Sequence, residues 1–255
     1  MVQEKVSVRR ACLLVAMSRS AYEYERKPKD DQPLIDWLHA FIEEHPALGF
    51  WKCYKRLKRD GITCNHKRLY RIYTMLRLNI RRRKKRRIPA RVKEALVVPQ
   101  DINQTWSMDF MTDSLVSGQR FRILNVIDDY NRESLAVEID TSLPSLRVVR
   151  VLERLIEDRG KPSVIRVDNG PEFTSDTMKT WCEDQNIQLR FIQPGKPMQN
   201  GFIERYNGSM RRELLNAFLF YSLNEVRYMA EEWRYDYNHE RPHEALGSVP
   251  PVKYA

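Results

Sequence analysis

The chain has 255 residues, 42% of them hydrophobic and 31% charged, with a formal net charge of +10. That composition supports a buried core and excludes a disordered chain; no run of about 18 apolar residues occurs, so a membrane-spanning helix is excluded too. The four cysteines (Cys12, Cys53, Cys64, Cys182) are scattered, with no disulfide framework. A reduced, cytosolic setting is expected. Met1–Arg10 is charged, and the short apolar stretch Ala11–Met17 has no cleavage site after it, so no secretory leader is expected. The charge is unevenly spread. Residues 1–100 carry 25 Lys and Arg against 10 Asp and Glu, whereas residues 101–255 carry 19 against 24. Two modules are expected: a basic one that binds a polyanion, most simply nucleic acid, and an acidic one whose work needs carboxylates.

In chain order, residues 7–24 read as a short helical region, ending at a linker around Pro28. Leu34, Trp37, Leu38, Phe41 and Ile42 recur at helical spacing until His45-Pro46. A second helix fits Phe50–Arg59 and closes at Asp60-Gly61. Asn65 has the character of an N-cap for a third helix carrying Leu69, Tyr70, Ile72, Tyr73 and Leu76. The third helix is basic, with Lys67, Arg68, Arg71 and Arg77, which gives the outline of a helix-turn-helix DNA binder over residues 1–92. A plain three-helix bundle with a solvated basic face is the alternative. The run Arg81-Arg82-Arg83-Lys84-Lys85-Arg86-Arg87 favours DNA, as an arm along phosphates. Lys67, Arg68, Arg71 and all seven residues of that arm are therefore expected at DNA.

A different pattern fills residues 100–255. Gln104–Val116, Phe121–Ile127 and Glu133–Ile139 read as strands of an antiparallel meander, with a turn at Gly118. Ser145–Asp158 follows as a helix, stopped by Gly160 and Pro162. Then come a strand at Ser163–Val167, a helix at Asp176–Gln185, a strand at Ile187–Phe191, a loop at Pro194–Pro197, and a long helix from about Asn200 to Asn216. The order β-β-β-α-β-α-β-α describes an α/β mixed sheet with flanking helices, the element order of the ribonuclease-H-like fold.

Three carboxylates occupy conspicuous places. Asp109 lies in the first strand, Asp168 just past the fourth strand in Asp168-Asn169-Gly170-Pro171-Glu172-Phe173, and Glu204 on the long helix. Taken singly they have ordinary explanations: an edge carboxylate, a turn tripeptide, a solvated helix residue. A carboxylate leaving an apolar strand is costly to desolvate unless paired or bound to a cation. If the first and fourth strands are neighbours, Asp109 and Asp168 meet near their ends and the helix brings in Glu204. Three hard oxygen donors suit Mg²⁺ or Mn²⁺. Two such ions about 4 Å apart polarise a phosphate and activate a water or a 3′ hydroxyl. Lys196 and Asn200 fall in a loop suited to phosphate contact. Asp128 and Asp129 are expected to be turn carboxylates, and Glu172 to support either the centre or its loop. His239 and His243 are expected to be structural, and the aromatics Tyr228, Trp233, Tyr235 and Tyr237 to pack.

These residues carry a resemblance. Residues 45–68, Trp106–Phe110, Asp168–Phe173, Asn200–Arg205 and the closing Tyr237–Leu246 resemble the second-reading-frame product of the insertion-sequence-three family of transposases. The 35 residues separating Asp168 from Glu204 match that family, as does Arg211, seven places beyond the glutamate and on its helix face. The resemblance implies an integrase-like catalytic core with the triad Asp109, Asp168 and Glu204. It implies metal-dependent 3′-end cleavage and strand transfer on double-stranded DNA, and Arg211 at DNA. It further implies a bacterial, nucleoid-associated protein that works as a homo-oligomer and as a frameshift fusion with a first-frame product. No zinc module is expected, since Cys-x-x-Cys is lacking and His39, His45 and His66 are wrongly spaced. A nuclease of the same fold and a non-catalytic DNA-binding repressor are the rival functions.

Overall fold

The computed structural model describes residues 7–25, 30–80, 98–193 and 197–254. The front of the chain is helical: α1 (Val8–Leu14), α2 (Arg19–Tyr22), α3 (Gln32–Glu44), α4 (Phe50–Arg59) and α5 (His66–Met75). The apolar stripes of α3, α4 and α5 converge on one small core, in which Leu38, Cys53, Leu57, Leu69 and Ile72 are fully buried. Gly61, at a φ of +80°, turns the chain out of α4. The Asn65 side chain accepts the Lys67 N–H at 2.9 Å and so starts α5.

The second module is a five-stranded sheet in the order β3-β2-β1-β4-β5. β1 (Thr105–Ser114), β2 (Arg120–Asp128) and β3 (Ser134–Asp140) form the expected antiparallel meander; β4 (Val164–Val167) and β5 (Gln188–Phe191) add on parallel. Helices cover both faces, which is the ribonuclease-H-like arrangement. Alternation along the strands sorts the side chains. Trp106, Met108, Leu124 and Val126 pack under α6 (Ser145–Arg159) and α8 (Asp176–Asp184). Met111, Phe121, Ile123 and Ile127 pack on the other face under α9 (Gly201–Met210) and α10 (Leu223–Tyr235). A four-residue helix, α7 (Pro171–Thr174), went unread in the sequence. The long helix also differs from a plain α-helix: at Arg211–Leu215 it widens into a π-helical turn. None of the described helices is long and apolar enough to cross a membrane.

Two packing arrangements complete the frame. β3 is an edge strand, and its free backbone groups would invite another strand. The chain's last segment satisfies some of them, near the two ends of the strand. Asn238 accepts the Ser134 N–H at 2.8 Å and donates to the Ser134 carbonyl at 2.9 Å, while Arg227 donates to the Ile139 carbonyl at 3.0 Å. The basic face of α4 docks on the same acidic segment. Lys52 reaches Glu213 at 3.2 Å, Arg56 reaches Asp236 at 3.0 Å and Arg59 reaches Glu240 at 2.9 Å. Lys55 donates to the Ser248 hydroxyl at 2.6 Å. Part of the front half's positive charge is therefore matched inside the molecule. Asn238→Ala leaves the buried Ser134 N–H without its acceptor, while the Ser134 carbonyl keeps Arg234 as a donor at 3.1 Å. Urea denaturation of the variant should show a loss on the order of 2 kcal/mol.

Candidate active site

Asp109 and Asp168 are neighbours because β1 and β4 pair in parallel. Ser107 stands opposite Arg166, and continuing that register two residues brings Asp109 level with Asp168. The Asp168 carboxylate accepts the Gly170 N–H at 2.9 Å, and a Cβ at Gly170 would lie 2.9 Å from that same oxygen. Gly170 thus both anchors the carboxylate and leaves it room. Next to it, Asn169 donates to the Ile192 carbonyl at 3.0 Å, tying the loop to the end of β5.

Glu204 sits in the first turn of α9 and is exposed. One turn later, buried Asn207 donates to Asp109 Oδ2 at 2.8 Å, while the Phe110 N–H donates to Oδ1 at 2.8 Å. The Asn207 contact fastens α9 over the strand, with Glu204 and Asn207 on neighbouring turns of the helix. Burial, reinforced by the negative charges of Asp168 and Glu204, pushes the Asp109 carboxyl up to about 6, against the pull of its two N–H donors. Asp109 therefore feels both of the other carboxylates. Even so, no three His, Cys, Asp or Glu side chains among the described residues stand close enough to hold a metal ion.

The residues expected at DNA fall into several environments. Lys67 is exposed on α5. Arg68 is not free: it donates to Asp31 at 2.8 Å and to the Asp30 carbonyl at 2.6 Å, and Arg71 also pairs with Asp31. Arg211 reaches β1, donating to Asp113 at 2.6 Å and to the Thr112 carbonyl at 2.7 Å. Asn200 departs from the expected phosphate contact. It is 3% exposed, and its side-chain oxygen has no hydrogen-bond partner among the described residues. Arg81, Arg82, Arg83, Lys84, Lys85, Arg86, Arg87 and Lys196 lie outside the described residues.

The neighbouring polar groups are structural. Asp128 accepts the N–H groups of Asn103 and Tyr130, as a turn carboxylate does. Asp129 does not behave as one. It is fully buried, pairs with Arg166 at 2.7 Å, and burial raises its carboxyl to about 6 against the pull of that guanidinium. Glu172 is held by Arg122, which lowers its pKa and whose guanidinium lies 4.2 Å above the Phe110 ring. His243 contacts the Tyr237 carbonyl at 3.1 Å, and His239 stacks on Tyr235. Tyr206, Trp233 and Tyr237 form an aromatic cluster, whereas Tyr228 and Tyr235 stay exposed. Sequence reading overlooked Asn207 and its buried neighbour Asn125. The available signal was an asparagine inside the apolar run Phe121–Ile127.

Comparison with known proteins accounts for both modules. An HTH-like domain model matches residues 29–86, and Integrase core domain models match residues 99–197 and 185–251. The chain is 39% identical to the 31.7 kDa protein of insertion element IS407 of Burkholderia multivorans, over 100% of this chain and 93% of that one. It is 25% identical to the transposase InsD of insertion element IS2 of Escherichia coli, over 88% of this chain and 79% of that one. Among solved structures, a simian T-cell lymphotropic virus intasome in complex with PP2A regulatory subunit B56 gamma shares the fold. Its TM-score is 0.56 at 17% identity, covering 87% of this chain and 73% of that one.

One titration in this region has a definite sign. Burial pushes His243 down to about 3. Below its ordinary value of about 6.5 the unfolded chain takes up a proton that the folded chain refuses. Stability is thus complete above that pH and falls as pH drops toward 3. His243→Gln should remove about 2 kcal/mol of the loss between pH 7 and pH 5, measured by denaturant titration at both values.

Proposed function

The chain belongs to the insertion-sequence-three family of DNA transposases, and on that premise we propose that Asp109, Asp168 and Glu204 form one metal-dependent centre for 3′-end cleavage and strand transfer. The observation that supports this reading is the parallel β1–β4 register, which, continued two residues past Ser107 and Arg166, would bring the two aspartates level. Asn207 adds to it by fastening the Glu204-bearing helix to Asp109. The donor set fits a hard divalent cation, because it consists of carboxylate oxygens and because burial and mutual repulsion raise Asp109. Two Mg²⁺ ions, replaceable by Mn²⁺, are the proposed complement; when bound they supply Lewis acidity to the phosphate and activate a water or 3′ hydroxyl. Asp109 and Asp168 offer oxygens from adjacent strands, and Glu204, exposed at the start of α9, swings in from the solvent side. Gly170 and Asn207 hold the two aspartates in place.

DNA is the proposed substrate of both modules. Lys67 on α5 faces solvent for phosphate or base contact. In this reading, Arg68, Arg71 and Arg211 exchange carboxylate partners for phosphates when DNA arrives, and the arm 81–87 and Lys196 follow the backbone. Joining two ends calls for at least two protomers, and a first-frame fusion partner is part of the proposal.

The rival closest in chemistry is a nuclease of the same fold. Pre-cut element ends incubated with target plasmid in Mn²⁺ separate the two: joined product is expected, and fragments without joining would favour the nuclease. Asp168→Asn and Glu204→Gln should each lower cleavage and joining at least about a hundredfold, since even groups that only orient metal ligands are worth 10- to 100-fold. Binding to element ends in a gel-shift assay should survive both changes. Activity of either variant at the wild-type level contradicts the triad.

A further inference from the structure

Asn125 lies at the centre of β2, directly opposite Asp109 in the strand register, and is 0% exposed. Its surroundings are apolar on two sides. The side-chain nitrogen is 3.3 Å from Met111 Sδ and 3.6 Å from Met210 Sδ, and thioether sulfurs are weak acceptors. Its one strong contact is to Asn207, whose Oδ1 accepts from Asn125 Nδ2 at 2.7 Å. Asn207 in turn donates from Nδ2 to Asp109 Oδ2 at 2.8 Å. The polarity of this chain follows from its last member. An ionised carboxylate only accepts, so Asn207 must turn its amide nitrogen toward Asp109 and its oxygen away. That oxygen needs a donor, and Asn125 supplies it. The arrangement leaves Asn125 Oδ1 buried with no partner among the described residues. An apolar side chain of the same size would fill this place between two methionines and remove that orphan, but it would leave Asn207 Oδ1 without its donor. What the asparagine adds is orientation.

We propose that Asn125 and Asn207 form a positioning relay that fixes the rotamer of the Asp109 carboxylate for divalent-cation binding. The relay rests on the reading of Asp109 as a metal ligand. Neither asparagine need touch DNA or metal. With Oδ1 held by the Phe110 N–H and Oδ2 by Asn207, the remaining lone pairs of Asp109 point along defined directions. Groups in this position behind a ligand are worth about 10- to 100-fold in metal affinity or activity.

The test uses the full chain and four variants: Asn125→Leu, Asn207→Ala, their combination, and Asp109→Asn. Mn²⁺ affinity is read by calorimetry without DNA, and kcat and KM by joining of pre-cut ends. Asn125→Leu exchanges one buried orphan oxygen for another, so it should leave the melting temperature close to wild type, yet weaken Mn²⁺ binding at least about tenfold and lower kcat with KM for DNA unchanged. The double variant should be no worse than Asn207→Ala alone, because Asn125 acts only through Asn207. Additive losses, or wild-type Mn²⁺ affinity in Asn125→Leu, would overturn the relay. If Asp109→Asn abolishes joining while the relay variants behave as wild type, the relay alone falls. If Asp109→Asn itself keeps wild-type affinity and joining, the metal-ligand reading falls and takes the relay with it.

Discussion

The candidate centre depends on one strand pairing. β1 and β4 run parallel, in a register that sets Ser107 against Arg166 and hence Asp109 level with Asp168. Side chains alternate along a strand, so a slip of one residue would turn Asp109 toward the opposite face and break the site. The buried pair of Asp129 with Arg166 holds this register from the side: it joins the end of β2 to the middle of β4 two residues before Asp168. A charge pair that deep is weak as a source of stability, because its desolvation offsets much of its attraction. Removing either partner alone would strand the other, which makes the pair a device for specifying position.

The second organising force is the match between a basic front and an acidic back. From composition alone the positive half is a binding surface for a polyanion. Among the described residues, part of it has a partner already. The α4 cations face Glu213, Asp236 and Glu240, and Asp31 holds Arg68 and Arg71. Arg241 adds to this network by clamping Glu213. In the complex proposed with DNA, phosphates would replace Asp31 as the partners of Arg68 and Arg71. Lys67 is exposed on α5.

Much of this was legible beforehand, where local signals agreed. The meander, the capped α5 and the stop at Gly160 each rest on short-range chemistry that tertiary packing did not override. Asp109 and Asp168 could be paired on paper only on the condition that the first and fourth strands are neighbours, and the sheet order meets that condition. Other features arise only from three-dimensional contacts. The π-helical turn at Arg211–Leu215 has no sequence signature, and Arg211 ends on β1 against Asp113. Asn200 reads as a polar loop residue but is buried where the 3₁₀ turn meets α9. Asp129 looks like half of a turn dipeptide because its partner, Arg166, is distant in sequence. Asn125 was hidden for the opposite reason: it sits within a run of strand residues whose apolar character dominated the reading.

The central claim is that three carboxylates on β1, after β4 and on α9 act as one cation site, although they are not gathered to ligating distance here. The most direct measurement is anomalous diffraction from crystals of the full chain grown with Mn²⁺. The account predicts a manganese peak between Asp109 and Asp168, with the Glu204 side chain drawn toward it. Manganese bound elsewhere, with Asp109 and Asp168 making no contact to it, would contradict the account.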